Sequence, residues 1–160
     1  MERMAKVKDI ALTNDITACY IKEDYCYKAS FKYNREEVLV FLITESHDDE
    51  ILSSMRSLFL KVYNSLPEIH KRACRYLEED FCDESLDTIR EYQHEPSLSK
   101  KDLTDNISLR IIRIEEEGTA ECDYIYRGEN YITRFIFKFI SADDIRFRFS
   151  CTELIEGCRI

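Results

Sequence analysis

Tryptophan is absent from this chain, glycine occurs only at Gly118, Gly128 and Gly157, and proline only at Pro67 and Pro96. So few glycines leave no phosphate-cradling loop and no dinucleotide fingerprint, both of which need closely spaced Gly. The same scarcity excludes collagen-like and low-complexity classes. No apolar run is long enough to span a bilayer. The segment Met1–Lys6 leads into no apolar core of a secretory signal, so the expected compartment is the cytosol. The seven cysteines are odd in number and form no C-x-x-C pair, and a chain this long is not a cysteine-dense secreted scaffold. Cys122 and Cys151 lie on strand-like segments with aromatics and are expected to behave as small core hydrophobes, with Cys158 exposed near the C-terminus.

Charge, in contrast, is plentiful. Charged residues make up 34% of the 160 residues, and the formal net charge is −9. That balance disfavours non-specific nucleic-acid binding, which needs clustered Lys and Arg to neutralise phosphates. It suits an acidic face for a basic partner, or solubility alone. The length fits one domain spanning residues 1–160 and can bury about 70% of the unfolded surface without staples.

Apolar periodicity predicts an α+β fold. Residues 1–24 are a weakly patterned arm, with short alternating pieces at Val7-Ile10-Leu12 and Ile16-Ala18-Tyr20. Tyr25, Tyr27, Ala29, Phe31 and Tyr33 alternate with Cys26, Lys28, Ser30 and Lys32. After the turn signal Asn34-Arg35-Glu36, the unbroken run Val38–Ile43 reads as a hairpin partner buried on both faces. Ser46 or Asp48 can cap a helix running to about Asn64. Ser65-x-x-Glu68, with Pro67 in the first turn, reads as a capping box for a second helix. A third helical piece spans Asp83–Gln93, ended by His94-Glu95-Pro96, and one short turn starts at Ser99–Asp102. Ile107–Thr152 then reads as a four-stranded antiparallel meander with turns at Glu115–Gly118, Gly128-Glu129-Asn130 and Ser141–Asp144. The doublet Ile111-Ile112 breaks the period and predicts a bulge or burial on both faces. The expectation is an N-terminal β-hairpin, two to three helices, and a meander, joined in one continuous sheet packed on the helices.

No catalytic, cofactor or metal motif is legible. His70, Cys74 and Glu78 recur at helical spacing but lack a fourth ligand, and read as a solvated helix face. Arg134, Lys138, Arg146 and Arg148, beside Arg110 and Arg113, fit either a nucleic-acid-binding sheet or cross-strand pairs with acids; at this net charge the pairs are favoured. Ten tyrosines suit a protein interface or half-buried sheet edges equally.

The order of elements, above all the piece Leu98–Tyr126 in which a helical turn feeds a strand, an acidic Gly turn and an aromatic strand, resembles the bacterial domain-of-unknown-function 2262 family of small acidic α+β proteins. The resemblance covers roughly Tyr25 to Ile145. Where that family has a Trp-Gly-His-like signature this chain reads Tyr131-Ile132-Thr133-Arg134. The resemblance implies no activity; similar small acidic proteins accompany bacterial toxins as immunity proteins. The expected function is therefore a non-enzymatic protein-binding module, an immunity-like inhibitor of a basic toxin or other protein, with no cofactor. Its expected contacts are Glu78, Glu79, Asp80, Glu115, Glu116, Glu117, Asp143 and Asp144. The alternatives are a small hydrolase or ligand-binding domain with a site assembled from distant residues, and a scaffolding homodimer joined through an edge strand.

Overall fold

The computed structural model describes residues 8–128, 131–140 and 145–153. Four strands come first: β1 (Ile10–Ala11), β2 (Thr17–Ile21), β3 (Cys26–Tyr33) and β4 (Glu36–Ile43). Four helices follow: α1 (Asp49–Asn64), α2 (Leu66–Glu79), α3 (Asp83–Gln93) and α4 (Lys100–Asn106). The chain then returns to the sheet as β5 (Ser108–Glu115), β6 (Ala120–Arg127), β7 (Tyr131–Phe139) and β8 (Ile145–Glu153). The eight strands lie side by side in chain order. Neighbours are antiparallel except β4 and β5, which run parallel because the helical segment carries the chain back between them.

The fold is α+β, as the periodicity predicts, but two expectations are corrected. The sheet is mixed, with the parallel β4–β5 pair joining hairpin to meander, and the helices among the described residues number four, because the short turn at Ser99 grows into α4. Within 1–24, Ile10–Ala11 and Thr17–Ile21 are sheet strands; Val7 lies outside the described residues, as do Glu129, Asn130 and the turn 141–144.

Local chemistry accounts for most boundaries. Asp48 caps α1 by accepting from the backbone N–H groups of Glu50 and Ile51. Ser65 does not cap α2 with its side chain, correcting the expected box. Its N–H is committed to Val62 O at the end of α1, so the same residue closes one helix and opens the next. The reciprocal box sits at α4 instead, where Ser99 Oγ accepts from Asp102 N at 3.1 Å and Asp102 Oδ2 accepts from Ser99 N at 2.8 Å. The β3–β4 hairpin turns on Asn34 (φ 51°) and Arg35 (φ 69°), the paired positive φ values of a two-residue loop whose twist matches the strands.

The core lies between one sheet face and the helices. Leu52, Met55, Phe59 and Val62 of α1, and Leu66, Ile69, Ala73 and Leu77 of α2, face Tyr27, Val40, Leu42, Ile112, Tyr124, Phe135 and Phe137. Each fully buried apolar side chain contributes roughly 1.5–3 kcal/mol. Aromatic pairs orient the layers: Phe31 meets Phe59 and Tyr63, Tyr76 meets Phe137 and Phe147, and Phe81 meets Phe135. The Ile111-Ile112 doublet is buried on both faces of β5, and a register shift falls just before it, between Leu109 and Ile111. It places Ile112 and Ile114 in the core and leaves Ile111 outside that cluster. The run Val38–Ile43 is not buried on both faces. Val38, Val40 and Leu42 are inaccessible, whereas Leu39 and Phe41 are half-buried and Ile43 is 40% exposed, because the described helices pack on one face only.

Gly128 opens the β6–β7 turn against the end of α3. A Cβ there would stand 2.0 Å from Gln93 Oε1, and Gln93 is buried with its Nε2 donating to Thr133 Oγ1 at 3.0 Å. Replacing Gly128 with Ala must displace that amide. Chemical denaturation is expected to show a loss of about 1–3 kcal/mol, and the loss should shrink in a Gln93→Ala background, where only the 3.3 Å contact with Tyr131 O remains.

Candidate functional site

The expected acidic contacts sit in two separate places. At the end of α2, Glu78, Glu79 and Asp80 are exposed, although Glu78 Oε1 accepts from Thr104 Oγ1 at 3.3 Å. In the β5–β6 turn Glu116 and Glu117 are exposed and Glu115 is half-buried, but all three carry contacts within the molecule. Glu116 accepts from Thr44 Oγ1, and Glu117 lies 3.7 Å from Lys138 Nζ. Partial burial, then its hydrogen bond with Glu117, raises the pKa of Glu115, against the pull of Lys138. Asp143 and Asp144 lie outside the described residues. The turn is therefore tied to the sheet, and the α2 cluster is the freer of the two.

That cluster continues into α3. Between Glu78 and Glu95 eight carboxylates face a single basic residue, Arg90. Leu86, Ile89 and Gln93 point α3 into the protein, so Asp83, Glu84, Asp87 and Glu91 line its exposed side. The stripe is only partly neutralised, by Arg90 on Asp87 at 2.8 Å and Lys100 near Asp83 at 3.7 Å. Its signal in the sequence is the charge run itself, whose acids beyond Asp80 are, apart from Asp83-Glu84, spaced out along the chain and not adjacent.

The basic residues of the sheet behave as cross-strand partners. Asp123 on β6 has no solvent-accessible surface, and its Oδ2 receives both Arg113 Nη1 at 2.8 Å and Arg134 Nη2 at 2.6 Å. Arg110 pairs with Glu36 at 2.9 Å. Ile111 and Ile136 flank Asp123 in register and wall it in. Two cations on one buried carboxylate satisfy the charge but leave Asp123 Oδ1 and Arg134 Nε buried without partners. Arg146 is exposed, and the side chain of Arg148 lies outside the description.

His70 and Cys74 do share a face of α2, but it is turned inward, correcting the solvated reading. His70 Nε2 stands 3.6 Å from Cys74 Sγ, both are half-buried, and His70 packs on Tyr124. Burial lowers the pKa of the histidine and raises that of the thiol. Both are thereby held neutral, which disfavours a thiolate nucleophile. Among the described residues no three His, Cys, Asp or Glu side chains converge as metal ligands do. Cys82 differs: it is exposed at the start of α3, and a 3.0 Å contact with Ser85 Oγ lowers its pKa.

A cleft of about 580 Å³ opens between β1, β3 and the first turns of α1, and its walls include Tyr27, His47, Leu52 and Arg56. Tyr27 Oη and His47 Nδ1 are 2.6 Å apart, with Tyr20 edge-on to the imidazole at 4.8 Å. Sequence reading missed this pair because its members are twenty positions apart on different elements.

Two outcomes follow from these contacts. Asp123→Asn leaves two arginines without their buried counter-charge, and urea unfolding is expected to show a loss of about 3 kcal/mol or more. With a thiol-specific disulfide reagent, Cys82 is expected to label faster than Cys74 and Cys122, and Ser85→Ala should slow it; peptide mapping reads the order.

No family model matches the chain, and neither the curated proteins nor the solved structures contain a match.

Proposed function

We propose that this chain is a non-enzymatic protein-binding module that inhibits a basic protein partner, in the manner of an immunity protein. The observation that carries the reading is the one-sided placement of charge. The segment Glu45–Asn106 holds fifteen carboxylates against eight lysines and arginines, so it carries −7 of the chain's −9. Most of that excess is on the exposed side of α3 and the end of α2. In the sheet, in contrast, Arg113 and Arg134 are drawn inward onto Asp123, and Arg110 and Lys138 pair with Glu36 and Glu117. A concentrated negative potential steers a basic protein and accelerates encounter.

The contact set that this favours is Glu79, Asp80, Asp83, Glu84, Asp87 and Glu91, with the β5–β6 turn secondary. The test is capture of a partner from bacterial lysate by tagged protein, followed by titration of the identified partner against a variant carrying Asp83→Lys, Glu84→Lys and Glu91→Lys. Affinity is expected to fall about tenfold or more, mostly through association rate, and the salt dependence should flatten. A partner whose affinity and salt dependence are unchanged by the triple reversal would refute the α3 assignment.

A further inference from the structure

We propose that the cleft beside His47 is a binding site for a small organic monocarboxylate with an apolar body. Its volume of about 580 Å³ falls within the rough 300–1,000 Å³ typical of small-molecule sites. It exists because β1 is only two residues long and is held to α1 by a polar strap: Arg56 Nε donates to Ala11 O at 2.9 Å. The gap is bridged by that bond rather than filled by apolar side chains.

The donors in the cleft favour an anion. Arg56 spends its Nε on Ala11, which leaves its terminal nitrogens available, and Lys8 lines the same cleft. His47 is held by Tyr27 at Nδ1 and by the edge of Tyr20. With the Tyr27 phenol donating to Nδ1, Nε2 carries the imidazole N–H. Two carboxylates also line the cleft. Among the described residues, neither Asp9 nor Asp49 forms an ion pair with Lys8 or Arg56. The cations and the imidazole N–H therefore remain for a ligand carboxylate. Leu52 and the Tyr27 ring, both buried, supply an apolar wall for its body. This site lies on α1 and is independent of the α3 surface.

The test is a titration with benzoate, phenylacetate and isovalerate, followed through the ring signals of the chain's three histidines; His47→Gln assigns the His47 resonance. At least one of the carboxylates is expected to shift His47 saturably while His94 stays still, and benzamide, the neutral counterpart of benzoate, is expected to bind about tenfold more weakly or not at all. Arg56→Gln and Lys8→Gln should each weaken binding; Lys8→Gln leaves the Arg56 strap intact and so separates ligand contact from cleft geometry. The proposal is overturned if none of the three carboxylates shifts His47, if benzamide binds as tightly as benzoate, or if both substitutions leave the titration unchanged.

Discussion

The parallel pairing of β4 with β5 governs the rest of the molecule. Two adjacent strands that run the same way cannot be joined by a hairpin, so the chain must travel the length of the sheet between them. It does so as four helices, all of which pack on the same core. One sheet face is thereby sealed by apolar stripes, and the other must be made stable without a described helical cover. The half-exposed Leu39, Phe41 and Ile43 beside the fully buried Val38, Val40 and Leu42 record that asymmetry residue by residue along a single strand.

The face away from the helices is held by isoleucines and by charge. Asp123 is the pivot: it sits in the centre of β6 with arginines arriving from both neighbouring strands. Burying a carboxylate is costly, and only the two guanidinium groups offset it. A consequence reaches the surface. Because Arg113 and Arg134 are consumed by Asp123, they do not offset the carboxylates that α3 carries outward. Charge segregation is thus a by-product of how the sheet solves its own burial problem.

Much of this was legible in residue order. Alternation along β3, β6 and β7, the helical spacing of α1 and α2, and the isoleucine doublet of β5 are local patterns, and each predicted the element that forms. The Ser65 box failed for a local reason as well: two helices compete for one residue, and its backbone closes the first. The seven residues of α4 extended a single expected turn because Ser99 and Asp102 cap it reciprocally. The α3 stripe was visible as a charge run, but knowing that it faces outward required knowing that Leu86 and Ile89 face in.

What the amino-acid order determined by itself was whatever depends on near neighbours: helix and strand type, most boundaries, the bulge, and the excess of acid in the middle of the chain. What only the tertiary structure decided was which distant groups meet. The direction of β5 against β4, the inward turn of His70 and Cys74, the convergence of Arg113 and Arg134 on Asp123, and the meeting of Tyr27 with His47 all depend on register and on the path of the crossover. Those are settled by burial of the whole sheet against the whole helical layer, an energy that no window of sequence contains.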